Sequence, residues 1–296
     1  MLEAKVEALT LPLTQIELAA VRLGDGNKPI LLCIHGWLDN LNSFIPLNRE
    51  LEKLGLLEDY QIICIDLPGH GLSAHRFGHY PLHWVDYIYD LHSIITHLSQ
   101  YHKDITVIGH SMGGIIACCY NATFPNSLKQ LILIEAISPL FESETHIRTR
   151  LKKSLEQHLL FNQKTIGARR TINLMTACLA RNKLTGLELN WCELITKRNL
   201  YRDGDQYYWR SDPRLKLDSL NRMSFEQVEQ LMNSTGTPSL LVLGEQGYKQ
   251  LKSLLPKTEA WFTDLTVAML PGDHHLHMSH AQQVAIQIRA FTLNQA

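Results

Sequence analysis

Short runs of apolar residues recur along the chain, and longer stretches of mixed polarity separate them. The runs lie at residues 30–34, 61–65, 105–108, 131–134, 240–243 and 265–270. Continuous apolar runs of this length are typical of parallel strands that are buried on both faces. The stretches between them, such as 82–102 and 112–124, have the length of helices. Because the two kinds of segment alternate, the pattern predicts an α/β fold with a mainly parallel sheet, preceded by two strands near residues 2–11 and 15–23.

The alternation stops between residue 137 and about residue 223, where apolar strand runs are absent. Helix-like stretches take their place at 143–160, 164–182 and 187–198. Because this segment lies between two strands of the sheet, we predict a helical cap at 137–223 above a core formed by 1–136 and 224–296. The aromatic residues at 207–209 have two interpretations: they face a pocket, or they pack the hinge of the cap.

Composition and charge argue against several classes of function. Of 296 residues, 45% are hydrophobic and 19% are charged, and the formal net charge is -1, as in ordinary globular proteins. We interpret the basic pair Arg169–Arg170 as part of a solvated face, so neither a nucleic-acid partner nor a membrane partner is expected. No run of about 18 apolar residues occurs, and residues 1–13 lack the apolar core of a secretory signal.

The cysteines also bear on the compartment. Six of them occur, at positions 33, 64, 118, 119, 178 and 192, and the first four lie inside apolar strand-like or helix-like runs. Such positions indicate small buried hydrophobic residues rather than a disulfide framework or a zinc site. The sequence therefore predicts a protein of the reducing cytoplasm.

The clearest chemical motif is Gly109-His110-Ser111-Met112-Gly113, which has the form G-x-S-x-G and joins a predicted strand to a predicted helix. Small residues flank the serine because the chain must turn sharply at that point. The turn raises the hydroxyl of Ser111 above the strand ends and places the helix N-terminus beneath it. The motif therefore predicts that Ser111 is a nucleophile.

With this motif in place, the chain resembles the α/β-hydrolase superfamily over nearly its whole length, and within it the serine hydrolase-like proteins. The stretches that carry the resemblance are HGWLDNLNSFIPL (35–47), DLPGHGLSAHR (66–76), WRSDPRL (209–215), GDHHLH (272–277) and HHLHMSHAQQVA (274–285). The resemblance implies an eight-stranded, mostly parallel sheet with flanking helices and a helical cap.

The resemblance also implies the partners of the nucleophile. The backbone N–H groups of Trp37 and Met112 correspond to the family's oxyanion donors. The family's histidine follows a G-x pair after the last strand, which indicates His274 as the base and leaves His275 as the alternative. The two further histidines nearby, His277 and His280, are interpreted as cap-facing or helix-start residues. A metal site in this cluster is the less favoured hypothesis, because no Cys or Glu lies among the histidines.

The acidic partner of the histidine is not where the family usually has it. In many members it follows the seventh strand, three residues after a glycine that corresponds to Gly244, and that position holds Gly247. Glu245 lies two residues earlier. In some branches of the superfamily the acid instead follows the sixth strand, where this chain has Glu135. We therefore predict Glu135 as the acid; the alternative is that Glu135 only holds the cap or the oxyanion loop by hydrogen bonds.

These residues predict a serine hydrolase of the esterase type that acts on a small ester or related acyl substrate and needs no cofactor or metal. A cofactor-free haloperoxidase or a C–C bond hydrolase would keep the same triad, and a non-catalytic ligand-binding protein would keep the fold. Haloalkane dehalogenases and epoxide hydrolases have aspartate at the position of Ser111, which argues against both. The sequence leaves the substrate and the oligomeric state open.

Overall fold

The computed structural model describes residues 5–164, 171–232 and 236–293. The strands of its main sheet are β1 (Val6–Pro12), β2 (Glu17–Leu23), β3 (Ile30–Ile34), β4 (Gln61–Ile65), β5 (Ile105–His110), β6 (Gln130–Ile134), β9 (Ser239–Gly244) and β10 (Leu265–Leu270). Their order across the sheet is β1-β2-β4-β3-β5-β6-β9-β10. All pairs are parallel except β1 with β2 and β2 with β4. The prediction of an eight-stranded, mostly parallel sheet is confirmed.

Helices cover both faces of this sheet. On one face lie α2 (Asp86–Leu98), α3 (Met112–Thr123), α7 (Phe225–Met232) and α8 (Lys249–Thr258), and on the other lie α1 (Ile45–Lys53), α9 (Leu276–Ser279) and α10 (Ala281–Leu293). Along β3 the side chains of Leu32 and Leu31 point to opposite cores. Every residue of β3 to β6 and β9 is buried, which is why these strands are continuous apolar runs in the sequence.

The segment between β6 and β9 contains three helices and a hairpin. The helices are α4 (Ile147–Lys164), α5 (Leu174–Thr185) and α6 (Leu189–Arg198), and the hairpin consists of β7 (Leu200–Asp203) and β8 (Gln206–Trp209). The purely helical prediction was wrong for the hairpin, because its strands are short and mostly half-exposed or exposed and so have no apolar run. Part of the predicted 164–182 helix and the pair Arg169–Arg170 lie outside the described residues. The division of the chain at 136/137 and 223/224 stays a prediction.

The cysteines all lie inside the protein. All six cysteines are buried and unpaired, as the sequence indicated. Among residues 5–164, 171–232 and 236–293, no helix has the length and apolar character needed to cross a membrane.

Parallel strands bring the loops that carry chemistry to one edge of the sheet. The carboxyl ends of β3, β5, β6, β9 and β10 lie side by side. In an α/β sheet this edge is where ligands bind. Loops that are far apart in the sequence, from residues near 36 to residues near 274, therefore meet in one place.

Candidate active site

Ser111 lies at a strained turn between β5 and α3. Its backbone has φ 51° and ψ -117°, which a residue with a side chain rarely adopts. A Cβ on Gly109 would lie 2.5 Å from the Cα of Gly114, and one on Gly113 would lie 2.1 Å from the carbonyl oxygen of Ile34. Gly109 therefore lets β5 and α3 approach each other, and Gly113 lets α3 lie against the end of β3. The sharp turn predicted from the sequence is present.

The loop after β3 passes directly beside this turn. A Cβ on Gly36 would lie 3.2 Å from the Cβ of Ser111. The next residue is Trp37, and Met112 is the first residue of α3. Within the described part of the chain, the backbone N–H of neither Trp37 nor Met112 donates a hydrogen bond. The two amides on which the oxyanion prediction depends thus flank Ser111 and remain available to a ligand.

His35 holds this loop in place. Its Nδ1 is 2.7 Å from the carbonyl oxygen of Gly36, and its Nε2 accepts the backbone N–H of Leu67 at 3.0 Å. An Nε2 that accepts requires the neutral imidazole with its proton on Nδ1. Burial lowers the pKa of His35 to about 4, which keeps the ring in that state at neutral pH.

Glu135 follows β6 and reaches the histidine loop. Its Oε2 lies 3.2 Å from Nδ1 of His274. The same carboxylate accepts the backbone N–H of Gly244 at 2.8 Å and that of Tyr248 at 3.0 Å. Only 1% of the Glu135 side chain is exposed, so three donors compensate for the burial of this carboxylate. Its backbone has φ 53°, a conformation that the surrounding hydrogen bonds must stabilise.

The glycine at position 247 has a direct structural reason. A Cβ there would lie 2.2 Å from Oε1 and 2.6 Å from Oε2 of Glu135. The Glu135 carboxylate thus fills the space in which a side chain at 247 would begin. Glu245, by contrast, is exposed, and no contact joins its carboxylate to His274. The position of Glu135 and the absence of a side chain at 247 are two parts of one arrangement.

A second carboxylate, which the sequence analysis missed, is the acidic partner of the histidine next to His274. Oδ2 of Asp39 lies 3.3 Å from Nε2 of His275, and its Oδ1 accepts from Nη1 of Arg181 at 2.7 Å. Burial by itself would raise the pKa of Asp39, but the attraction and hydrogen bond of His275 and the attraction of Arg181 hold that pKa well below its usual range. His274 is thus paired with Glu135 and His275 with Asp39.

The remaining histidines of the cluster occupy structural positions. His277 is the second residue of α9 and His280 directly precedes α10, so both agree with the helix-start interpretation. The ring of His277 is fully buried and lies 4.0 Å from that of His110 and 5.5 Å from that of Phe44. Cap-facing was therefore the wrong alternative for His277. In the described ranges no group of three or more His, Cys, Asp or Glu side chains has the arrangement of a metal site.

Buried histidines predict a marked loss of stability in mild acid. Burial lowers the pKa of His35 to about 4 and the pKa of His70 and His277 to about 3. These folded-state values lie below the value of about 6.5 in an unfolded chain, so the unfolded state binds more protons below that pH. Their stabilising contribution is complete above pH ~6.5, and it falls by about 1.4 kcal/mol per pH unit for each histidine as the pH drops towards about 4.

Urea unfolding at about pH 7.5, 6 and 5 measures this dependence. His277→Leu removes one of the three groups, and the free energy of unfolding of that variant should depend less steeply on pH by about 1.4 kcal/mol per unit. A wild-type free energy of unfolding that stays constant over this range would contradict the prediction.

Several of these side chains line one pocket of about 440 Å³. Ser111, His274 and Trp37 line it from the sheet, whereas Arg181 and Trp209 line it from the inserted segment. Of the aromatic residues 207–209, Trp209 therefore faces the pocket, and Tyr208 instead stacks on Tyr201 with ring centroids 5.2 Å apart. The pocket wall also includes Leu38, Ala177, Ala180, Leu184, Pro213 and Tyr248, which make it largely apolar.

Comparisons with known proteins agree with this architecture. The model of the family described as alpha/beta hydrolase fold matches residues 29–281. A serine hydrolase-like protein of Danio rerio is 24% identical over 297 residues, which cover 95% of this chain and 86% of that protein. Serine hydrolase-like protein 2 of Homo sapiens is 26% identical over 294 residues, which cover 93% of this chain and 90% of that protein.

Solved structures give the same result. The crystal structure of a hypothetical protein from Pseudomonas aeruginosa PAO1 matches with a TM-score of 0.83 and 29% identity, covering 97% of this chain and 99% of that one. The family match spans most of the sequence, and it includes the turn at Ser111 and the parallel strands of the main sheet. The chain therefore belongs to the α/β hydrolase family.

Proposed function

We propose that this protein is a serine hydrolase that cleaves a small ester or a related acyl substrate. The observation that carries the proposal is the contact between His274 and the buried carboxylate of Glu135, in the same pocket as the strained turn of Ser111. The proposed nucleophile, base and acid follow three different strands, and the parallel sheet brings them together as a serine, a histidine and a carboxylate, the residue types of the serine triad.

In the proposed mechanism, Oγ of Ser111 attacks the carbonyl carbon of the substrate while Nε2 of His274 takes the hydroxyl proton. Glu135 accepts from Nδ1 of His274, which fixes the tautomer and stabilises the imidazolium. The tetrahedral intermediate collapses as His274 gives its proton to the leaving oxygen, and Ser111 remains acylated. Water, deprotonated by His274, then attacks the acyl group. The bond to Oγ of Ser111 breaks as His274 returns the proton to that oxygen, and the acid is released.

The negative oxygen of both tetrahedral intermediates needs hydrogen-bond donors. The unengaged backbone N–H groups of Trp37 and Met112, on either side of Ser111, support their assignment as these donors. Met112 is also at the N-terminus of α3, whose dipole favours negative charge. Removing one such donor typically costs about 10²- to 10³-fold in kcat.

The segment 137–223 is proposed as the cap that shapes the substrate site. It contributes Arg181 from α5 and Trp209 from β8 to the pocket. Arg181 also donates to Oδ1 of Asp39 and to the carbonyl oxygen of Leu38 in the loop after β3. These contacts join the proposed cap to the loop that would hold the oxyanion. The six unpaired thiols support the cytoplasm as the proposed compartment.

A panel of 4-nitrophenyl esters with graded acyl length tests the proposed function with the wild-type protein. We expect turnover of short and medium acyl groups and a rapid initial release of nitrophenol, because an acyl-enzyme forms before it is hydrolysed. A cofactor-free haloperoxidase or a C–C bond hydrolase would keep the triad but require other substrates, and a ligand-binding protein would release no nitrophenol. Complete inertness towards the panel and towards a fluorophosphonate would contradict the proposal.

His275→Asn is expected to change kcat less than about tenfold, because the contacts of His275 go to Asp39 and not to Glu135. The loss should be seen in thermal stability, since Asp39 keeps Arg181 but loses one of its buried partners. Steady-state kinetics and a thermal melt of the same preparation check both parts. Loss of turnover with an unchanged melting temperature would instead identify His275 as the base.

A further inference from the structure

The stretch from Trp209 to Lys216 is held in place by a buried ion pair. Arg214 is 7% exposed, and its Nη2 donates to Oδ2 of Asp212 at 2.6 Å. The same guanidinium donates to the backbone carbonyls of Arg76 at 2.6 Å and Gly78 at 2.8 Å. Asp212 in turn caps the short helical turn Pro213–Lys216 by accepting the N–H of Arg214 at 2.9 Å. This part of the backbone is therefore fixed by contacts that do not involve a substrate.

The same stretch is tied to the loop beside Ser111. Nε1 of Trp37 donates to the carbonyl oxygen of Leu215 at 2.8 Å. The next residue, Lys216, lies on the pocket wall, and its Nζ is 5.3 Å from the centre of the Trp209 ring. The buried ion pair and the indole hydrogen bond thus fix the backbone beside Lys216, whose exposed side chain lines the pocket that contains Ser111 and His274.

The charges of the pocket do not cancel. Its charged lining residues in the described part of the chain are Asp39, Arg181 and Lys216. Asp39 is ion-paired with Arg181 at 2.7 Å. No carboxylate among the described residues lies within ion-pair distance of Lys216. A largely apolar pocket therefore carries one positive charge that the described residues leave without an acidic partner.

We infer that Lys216 binds a carboxylate on the substrate, at a distance from the ester that Ser111 would attack. This inference rests on the proposed function and narrows its substrate class to esters that carry a second, ionised end. A single ammonium on a flexible stem suits one negative charge, whereas phosphate groups are commonly bound by several donors or by an arginine fork. The apolar walls would accommodate the chain that joins the two ends.

Binding can be measured without turnover in the Ser111→Ala variant. Monomethyl glutarate and dimethyl glutarate have the same chain and differ only in one end, which is a carboxylate in the first and a methyl ester in the second. Trp37 and Trp209 line the pocket, so tryptophan fluorescence reports occupancy. We expect monomethyl glutarate to bind about tenfold more tightly, as for one charge-assisted hydrogen bond at a partly exposed site. The preference should decrease with added salt.

Three variants isolate the role of the ammonium group. Lys216→Met should abolish the preference, Lys216→Arg should keep most of it, and Lys103→Met, which changes an exposed lysine outside the pocket, should leave it unchanged. With otherwise wild-type enzyme and the 4-nitrophenyl hemiester of glutaric acid, Lys216→Met should raise KM about tenfold and leave kcat nearly unchanged, because the contact is the same in ground and transition states. The neutral ester 4-nitrophenyl butyrate should be unaffected.

The results separate this inference from the function on which it rests. Equal affinity for the two glutarates, or a preference that survives in Lys216→Met, overturns the inference even when the protein hydrolyses esters. Failure of the wild type to turn over any ester overturns the proposed function, while the fluorescence titration still decides whether Lys216 binds a carboxylate.

Discussion

Replacing Ser111 with alanine is expected to abolish both ester turnover and labelling by a fluorophosphonate. The variant keeps the backbone of the turn but removes the atom that would be acylated. Loss of the nucleophile in a comparable triad lowers kcat on the order of 10⁶-fold. The loss should appear without a change in fold, because Ser111→Ala removes only the hydroxyl and leaves the close packing at Gly109 and Gly113 unchanged.

His274→Ala should lose nearly as much, and the double variant should lose no more than either single one. The serine is a weak nucleophile without its base, and the base has no task without the serine, so their effects do not add. Stopped assays at high enzyme concentration can quantify the residual rates. Additive losses in the double variant would mean that the two residues act in separate steps.

Ser211→Ala is the matched control, since Ser211 lines the same pocket. It should keep both turnover and label, and peptide mapping of the wild-type adduct should identify Ser111. A label on another serine, together with an active Ser111→Ala variant, would remove Ser111 from the mechanism. The thermal melts of Ser111→Ala and Ser211→Ala should match that of the wild type.

The inner strands of the main sheet, β3 to β6 and β9, could be predicted because burial on both faces leaves a simple trace in the sequence. β3, for example, is buried at all five of its residues and is a run of five apolar residues. The hairpin β7–β8 could not be predicted in this way. Residue Leu200 is buried but the rest of β7 is half-exposed or exposed, and β8 has no buried residue. Short strands that pair with each other at the surface have no continuous apolar run to reveal them.

The residues of the candidate site also differ in how far the sequence reveals them. Ser111 belongs to a local motif, and the resemblance implied the histidine loop from one continuous stretch of sequence. Asp39, Arg181 and Lys216 meet from a loop, a helix of the inserted segment and a short helical turn that are separated by many residues. Only folding brings them together. One local signal was available for Asp39, which lies four residues after His35 in the loop that the resemblance had already identified.

Glu135→Gln is expected to lower kcat by about 10²- to 10⁴-fold, since the orienting charge is lost while the size is kept. The amide oxygen can still accept from Gly244, but the amide nitrogen would face the donors of Tyr248 and His274. Glu245→Gln should change kcat less than about tenfold, because it removes an exposed charge that contacts none of the proposed catalytic residues. Full activity of Glu135→Gln with an unchanged melting temperature would reject Glu135 as the acid.

Moving the carboxylate from position 135 to position 247 gives a sharper test of where the acid must lie. In the wild-type background Gly247→Asp should reduce stability and activity, because its Cβ would lie 2.2 Å from Oε1 of Glu135 and would bring a second negative charge beside it. In the Glu135→Ala background that space is free, and position 247 has no left-handed φ that would exclude a side chain. There the same substitution should raise kcat at least about tenfold above that of Glu135→Ala alone.

Gly247→Ala in the Glu135→Ala background fills the space without a charge, and it should restore nothing. Gly247→Asp should thus lower kcat in the wild-type background and raise it in the Glu135→Ala background. A Glu135 with a merely structural role would not produce this outcome. If Gly247→Asp is harmless beside Glu135, or if aspartate and alanine perform equally without it, the carboxylate at 135 does not orient His274. Rescue specific to aspartate would mean that the chain keeps a glycine at 247 because its acid reaches the histidine from the neighbouring strand.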